Sequence, residues 1–320
     1  MTGAIGELGP AAPVPAAEAP PPAAVRPTRG WGAGARRAGW FAASVVLVCA
    51  LWEAYKLVGS PDGGSVSGVR VLPRADDASM PHVGEVLRRF GRPESSAAGS
   101  DPVLVGVLEA VWFTFRVAMA GLLLGVLVGL LLGVVMQRFA VAERGLLPYV
   151  VLSQTVPLIA LAPLVVGWAG RLHIGELTWR PWMSVAVIAA YLAFFPVAVG
   201  ALRGLRSPPE HAVELMRSYS ASWWQALLRL RLPAAVPYLI PALRLAAASA
   251  VVGAIVAEIS TGTRGGIGRL VIEYSREATS DPAKVYTAFL GAAVLGLVVA
   301  GLVALLDLAL SRFQPAGGRA

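Results

Sequence analysis

Long apolar blocks alternate with shorter polar stretches along most of this chain. An α-helix needs about 20 apolar residues to cross the hydrocarbon core of a bilayer. Blocks of roughly that length or longer occur at Trp40–Val58, Val103–Met136, Leu147–Gly170, Pro181–Gly200, Tyr238–Ile259 and Val285–Leu310. The pattern predicts an all-α polytopic membrane protein with about six transmembrane helices.

Composition agrees with this class of protein. The chain of 320 residues is 56% hydrophobic and 14% charged, with a mean hydropathy of +0.66. Soluble domains carry about 25% charged residues. The net charge of +8 is typical of a membrane protein whose cytoplasmic loops face anionic lipid. We therefore expect the lipid bilayer as a partner and no nucleic acid.

The polar stretches define the domain organisation. Residues 1–38 are predicted to be a disordered Ala/Pro-rich cytoplasmic tail, residues 39–312 the transmembrane domain, and residues 313–320 a short cytoplasmic tail. Within the domain, residues 59–102 are too polar to insert and form an outer segment. Basic residues are slightly more numerous in the loops on the side of the N-terminus, and six spans place both ends together. We therefore expect both termini in the cytoplasm.

A polar, basic segment, residues 203–237, separates the fourth and fifth spans. Two sequences with the spacing of a capping box begin at Ser207 and Ser222, so we predict two short helices at the membrane surface. Pro233 and Pro237 are predicted to interrupt the chain as it re-enters apolar sequence. A structured helix pair between two spans favours a docking element that contacts something in the cytoplasm.

Glycines recur every four residues in the second span, at Gly121, Gly125, Gly129 and Gly133. On a helix they form one smooth stripe, and small residues let two backbones approach closely in lipid. We predict that the second span packs against another helix along this stripe. The alternative is that glycine is simply common in membrane helices.

The third span contains polar residues and prolines in its middle, from Ser153 to Pro163. Broken backbone at membrane depth is tolerated where it faces protein or a water-filled cavity. We predict that Gln154 and Thr155, followed by Pro157, lie near a translocation pathway. Alternatively, the two polar side chains make an interhelical hydrogen bond.

Several ionisable side chains lie within the predicted spans. Each costs about 2.5–3.5 kcal/mol at the centre of a spanning helix. All of them lie near enough to a span end for the side chain to reach an interface, which argues against a proton relay. They are Glu109, Arg116, Arg244, Glu258 and Asp307.

Enzyme chemistry finds no support in the sequence. The three histidines, His82, His173 and His211, show no metal-ligand spacing. A phosphate-binding loop needs Gly-Lys-Ser/Thr after a glycine-rich turn, but the two lysines, Lys56 and Lys284, follow Tyr55 and Ala283. We therefore predict no catalytic residue, no metal and no cofactor in this chain. If ATP drives transport, ATP–Mg binds to another polypeptide.

The segment 203–237 resembles the coupling loop of permease subunits in bacterial ABC importers of the binding-protein-dependent class. That signature is Glu-Ala-Ala, three residues, Gly, nine residues, Ile-x-Leu-Pro. This chain keeps the spacing but replaces both alanines and the glycine. The corresponding residues are Glu214-Leu215-Met216, Ser220 and Leu230-Arg231-Leu232-Pro233, and similarity extends to Ala221-Ser222, Ala257-Glu258 and Gly265-Gly266-Ile267-Gly268.

The resemblance implies the type I importer fold in the bacterial cell membrane. It also implies that separate subunits form the pathway, deliver the solute and hydrolyse ATP. Two permease copies, expected here as a homodimer, form the pathway for a small solute. An extracytoplasmic solute-binding protein delivers it, and two ATPase subunits dock on the coupling loop. Pro233 is expected to fix the angle between the second surface helix and the fifth span. The implied docking residues are Glu214, Leu215, Met216, Ser220, Ala221, Ser222, Leu230, Leu232 and Pro233.

Serine at position 220 departs from the family's glycine. Glycine adopts a left-handed conformation at little cost, whereas serine pays about 1–2 kcal/mol. Serine is, however, a favoured N-cap with extended backbone. We therefore predict that Ser220 caps the second surface helix without a left-handed turn.

Substrate inference rests on the resemblance alone. The run from Gln154 to Pro163 and the triplet Arg217-Ser218-Tyr219 resemble permeases for pyrimidine and vitamin precursors more than those for sulfonates. A pyrimidine or vitamin precursor is the favoured solute. The alternatives are a sulfonate-, taurine- or nitrate-type anion in the same class of importer, or an ion-coupled secondary transporter.

Overall fold

The computed structural model describes residues 31–66, 69–70, 73–170, 173–174 and 177–310. The chain divides after Trp52 into two units, residues 1–52 and 53–320. Helix α1, Trp31–Val58, runs across this boundary. The predicted tails fall mostly outside the described residues.

The second unit holds the remaining elements, which are nearly all helical. Two short antiparallel ribbons lie in loops, β1 (Ser65–Val66) with β2 (Val69–Arg70) and β3 (His173–Ile174) with β4 (Leu177–Thr178). The helices are α2 Val83–Arg89, α3 Val103–Arg138, α4 Ala140–Leu152, α5 Leu158–Ala169, α6 Pro181–Leu205, α7 Glu210–Ser218, α8 Trp223–Ala226, α9 Leu232–Thr261, α10 Ile267–Arg276 and α11 Pro282–Leu310.

Within the described residues, five helices are long and apolar enough to span a membrane, or six if one bent pair counts as a single span. The bent pair is 140–155 with 158–169, and the helix axis changes direction by 103° between its two arms. A short 3₁₀ turn, Ser153–Thr155, precedes the break, and Pro157 begins the second arm because a proline cannot continue the helix before it. The predicted six spans therefore agree with the structure, although the third starts at Ala140 rather than Leu147.

The core of the second unit is formed by α3, α6 and α9 packed side by side. The glycine stripe of α3 lies directly against α6. A Cβ atom on Gly121 would sit 2.5 Å from Cβ of Ala189, and one on Gly133 would sit 2.6 Å from Cβ of Ala201. Gly200 of α6 approaches Ala242 of α9 in the same way. Small residues thus bring the three backbones together, as helix packing in lipid requires.

The predicted interruption at Pro233 and Pro237 is wrong. Residues Trp223–Thr261 form one continuous helical run of 39 residues, with Pro233 in the first turn of α9 and Pro237 inside it. The helix continues through Pro233 because a wide π-helical turn, Leu227–Arg231, lies directly before it. A proline removes one backbone donor and crowds the carbonyl four residues earlier, and the wider turn relieves that crowding.

Glu258 does not extend to an interface, contrary to the sequence prediction. Its side chain is fully buried, and the Thr114 hydroxyl donates to the carboxylate at 2.9 Å. The backbone N–H of Gly268 donates to it at 2.9 Å, while that of Ile267 donates to the Thr114 hydroxyl. A Cβ on Gly266 would lie 2.2 Å from the Glu258 carboxylate, so only glycine permits this approach. We call Thr114, Glu258 and the start of α10 the carboxylate node.

Two other ionisable residues of the predicted spans are paired with each other. Arg244 of α9 and Asp307 of α11 form an ion pair on the outer surface of the helix bundle. Charge pairing offsets the cost of placing an ionised group in a spanning helix. Glu109 and Arg116 are exposed, and Arg116 lies over the ring of Trp112.

The end of α2 and the segment after it are attached to α10, to α11 and to the loop between them, partly through the buried charges of Arg89 and Lys284. Arg89 is 8% exposed and pairs with Asp281 at 2.5 Å. Lys284, also buried, donates to the Glu94 carbonyl and pairs with Glu277 at 2.6 Å. Burial and a hydrogen bond to the Glu94 carboxylate raise the pKa of Tyr274, so its hydroxyl remains the donor in that bond.

Candidate functional site

The surface segment between α6 and α9 begins with a stiff connection to α7. Ser207 is not the N-cap of α7, because two prolines separate it from the helix and the backbone of Pro209 is extended. Instead, the Ser207 hydroxyl contacts the carbonyl oxygens of Gly204 at 2.8 Å and Ala234 at 3.2 Å. The predicted capping box at Ser207 is therefore wrong, and the serine joins the ends of two spanning helices.

Helix α7 leaves an apolar face uncovered. None of its residues is buried. Leu215 is 58% exposed and Tyr219, four residues on, is 78% exposed. Residues four apart share one face of a helix, and Glu214 beside them is exposed too. An exposed leucine and tyrosine on a short polar helix indicate an interaction surface.

A left-handed turn at Ser220 ends α7, contrary to the prediction for this residue. Its φ angle is +53°, the only positive φ of a non-glycine residue in the described part of the chain. The Ala221 N–H donates to the Met216 carbonyl at 3.0 Å, and the Ser220 N–H to the Arg217 carbonyl at 2.8 Å. These are the two hydrogen bonds of a Schellman motif, which places its left-handed residue one position after the C-cap. Ser220 therefore occupies a glycine position and does not cap α8.

Ser220→Gly is expected to stabilise the protein by about 1 kcal/mol, because glycine relieves the left-handed strain but loses more chain entropy on folding. Thermal unfolding of the detergent-purified protein measures this as a rise in Tm of a few degrees. The matched control is Ser218→Gly in the last turn of α7, which should lower Tm because glycine disfavours helix. A fall in Tm for both variants would contradict the left-handed assignment.

Helix α8 begins as the sequence predicts. Ser222 is its N-cap, and both bonds of the capping box with Gln225 are present, at 3.3 Å to the serine hydroxyl and 2.7 Å to the glutamine carbonyl. The next residue, Trp223, lies under the guanidinium of Arg138 at the end of α3, 5.3 Å from the ring centroid. This cation–π contact fixes the start of the helical run against a spanning helix.

The residues predicted to dock ATPases therefore lie in three places. Glu214, Leu215 and Met216 are on α7, and Ser220 to Ser222 form the turn after it. Leu230, Leu232 and Pro233 lie further along, in the π-helical turn and the start of α9. Leu232 packs against the buried cluster of Leu205, Leu227 and Ala235. Leu232 thus packs beneath the surface segment, and the chain stays helical through Pro233.

The predicted pathway residues lie at the break between α4 and α5. Gln154, Thr155 and Pro157 are all exposed. The Gln154 amide donates to the Ser153 hydroxyl at 3.3 Å and the Thr155 hydroxyl to the Leu152 carbonyl at 2.8 Å. These bonds stay within the segment. The interhelical bond at this break comes from Tyr191 of α6, whose hydroxyl donates to the Ser153 carbonyl.

Sequence reasoning missed a second contact between α6 and the broken span. The Arg206 guanidinium donates two hydrogen bonds to the two carboxylate oxygens of Glu143. Arg206 is the residue after α6, and Glu143 is in the first turn of α4. The two residues are 63 positions apart, so no local spacing could have indicated the pair.

Comparison with known proteins identifies the family. Residues 121–315 match the family model described as binding-protein-dependent transport system inner membrane component. This range contains the glycine stripe, the broken span, the surface segment and, of the carboxylate node, Glu258 and the start of α10.

Curated relatives agree. A probable ABC transporter permease protein of Haemophilus influenzae is 33% identical over 54% of this chain and 68% of its own length. The formylaminopyrimidine transport permease protein of Halalkalibacterium halodurans is 36% identical, over 48% of this chain and 60% of its own length. The taurine transport system permease protein of Escherichia coli is 35% identical, over 38% and 42%. The matches thus span about two thirds of these relatives or less.

A solved structure of the MetNI methionine ABC transporter, in inward-facing conformations, has the same fold. The match has a TM-score of 0.50 and 20% identity, and covers 65% of this chain and 95% of that one. At this identity the likeness shows the fold alone, which is the type I permease fold expected from the sequence. This chain belongs to the family of binding-protein-dependent transport system inner membrane components.

Proposed function

We propose that this chain is the membrane-spanning subunit of an ATP-driven importer. Two copies form the pathway, an external binding protein delivers the solute, and two ATPase subunits bind the surface segment from the cytoplasm. The observation that carries the proposal is α7, a polar helix with no buried residue and an uncovered Leu215–Tyr219 face between two spanning helices. Membership in the family supports it.

In this proposal, closure of the ATPases pushes α7 and alternates access to the pathway. Gln154, Thr155 and Pro157 lie on the wall of that pathway, which their exposure at a break within the membrane supports. ATP–Mg binds on the ATPase subunits. Both termini and α7 are cytoplasmic.

The solute we propose is a small heterocycle of the pyrimidine or vitamin-precursor type. The 36% identity to a formylaminopyrimidine permease supports this. A sulfonate- or taurine-type anion is the second candidate, supported by the 35% identity to a taurine permease over a shorter stretch.

Co-expression with candidate ATPase and binding-protein subunits from the same genome tests the proposal. We expect the three proteins to purify as one complex, and proteoliposomes to accumulate solute only when ATP is inside with the ATPase. Uptake that follows an ion gradient and persists without the ATPase would contradict it. Ligand screening of the binding protein with pyrimidines and taurine then separates the two solute classes.

A further inference from the structure

The end of α6 connects the surface segment to the broken span. Three elements meet there: the connection to α7, the start of the Trp223–Thr261 run, and the first arm of the broken span, α4. We propose that Arg206 and Glu143 are positioning residues that transmit movement of α7 to the break at Gln154. This inference rests on the proposed function, since it presumes that α7 is moved by ATPases.

The connection from α7 to α6 is short and stiff. Helix α7 starts at Glu210, and only residues 206–209 separate it from the end of α6. Two of these are prolines, whose rings fix φ. The Ser207 hydroxyl contacts carbonyls of both α6 and α9, and Arg231 donates to the Leu205 carbonyl at 3.0 Å. A displacement of α7 therefore reaches the end of α6 with little loss in the connection.

Side chains of α6 and of Arg206, which follows it, contact the first arm of the broken span near both of its ends and in one apolar cluster between them. The Arg206 guanidinium donates two hydrogen bonds to the carboxylate of Glu143 at the start of α4. Leu147 and Val150 of α4 pack in one cluster with Ala198 and Leu202 of α6. Tyr191 bonds the Ser153 carbonyl at the far end.

The two polar contacts lie at opposite ends of the first arm. Glu143 and Ser153 are about 15 Å apart along the arm, at 1.5 Å per residue. Two contacts separated along the arm fix its position and the direction of its axis, so the arm follows the movement of α6. The break, with Gln154 and Thr155 exposed at its tip, lies directly after the second contact. Arg206–Glu143 is the contact nearer α7, so it is the one through which the displacement first passes.

The test measures whether ATP changes the surroundings of residue 154. Cys49 is the one cysteine of the chain, so Cys49→Ala followed by Gln154→Cys leaves a single thiol at the break. In the reconstituted complex with its ATPase, we expect ATP to change the rate of labelling by a water-soluble maleimide by about fivefold or more. In the Arg206→Glu and Glu143→Arg variants this ratio should fall towards one. The double variant, which restores opposite charges, should recover it.

The control is Arg144→Glu, which makes the same charge change one position from Glu143, at an exposed residue with no ion pair among the described residues. It should keep the wild-type ratio. Tyr191→Phe removes a single hydroxyl at the other contact and should also lower the ratio. If the charge variants do not form the complex with the ATPase, Tyr191→Phe still tests whether movement of α6 reaches the break.

The outcomes separate the two proposals. If ATP changes labelling equally in wild type and in Arg206→Glu, the inference is overturned while the proposed function stands. If both single variants and the double variant lose the ratio equally, the pair does not act through its charge complementarity, which also overturns it. If ATP leaves labelling of Gln154→Cys unchanged in a complex that still takes up solute, the break does not move with α7 and the inference is overturned. If that complex shows no ATP-driven uptake either, the proposed function itself fails.

Discussion

Leu215→Glu is expected to weaken association of this chain with its ATPase subunits by at least about thirtyfold and to abolish ATP-driven uptake. Leu215 is 58% exposed on a helix with no buried residue, so the substitution removes little internal packing. Truncating or charging an anchor residue at the centre of an interface costs about 2 kcal/mol or more, which corresponds to that factor. Pull-down of the ATPase with the purified permease, at graded concentrations, measures the loss.

Leu87→Glu is the matched control. Leu87 lies on α2, in the predicted outer segment, and is 59% exposed. The two variants therefore add the same charge at equally accessible leucines on different parts of the second unit. Leu87→Glu should leave ATPase binding unchanged. Equal loss in both variants would mean that added charge, rather than the α7 face, is responsible, and α7 would lose its assigned role.

Glu258→Ala should destabilise the protein by about 3 kcal/mol or more. The change leaves two buried donors, the Thr114 hydroxyl and the Gly268 N–H, without their acceptor. Each unsatisfied buried donor costs about 1–3 kcal/mol, and the emptied volume adds to this. Size-exclusion chromatography after graded heating in detergent measures the loss as a lower aggregation temperature.

Glu258→Gln separates the role of hydrogen bonding from that of shape. A glutamine can accept from Gly268 and donate to the Thr114 hydroxyl, so it should retain most of the stability. Thr114→Val should behave like the alanine variant, because it removes the donor to Glu258 and the acceptor of the Ile267 N–H. If Glu258→Ala and Glu258→Gln were equally stable, the carboxylate node would not hold α3, α9 and α10 together.

Features that depend on neighbouring residues could be predicted from the sequence. The capping box of Ser222 and Gln225 involves residues three apart, and both of its hydrogen bonds are present. The break of the third span lies at Pro157, where the proline and the polar residues before it indicate that the helix ends. Six apolar blocks of spanning length were enough to predict the class of fold.

Features that depend on distant residues could not be predicted. Burial of Glu258 needs Thr114, which is 144 positions away, and the Arg206–Glu143 pair joins two elements 63 positions apart. Three errors were local. A π-helical turn let the helix continue through Pro233. Prolines after Ser207 moved the start of α7, and the Schellman hydrogen bonds at Ser220 outweighed the preference of serine for a cap with extended backbone.

The unbroken course of residues Trp223–Thr261 limits how this protein can change by insertion or recombination. Adding one residue anywhere between Ser222 and the membrane rotates everything beyond it by about 100° around the helix axis. Such an insertion would turn Glu258 away from Thr114 at the other end. A chimaera that exchanges surface segments between related permeases therefore has to preserve the residue count from the cap to the span.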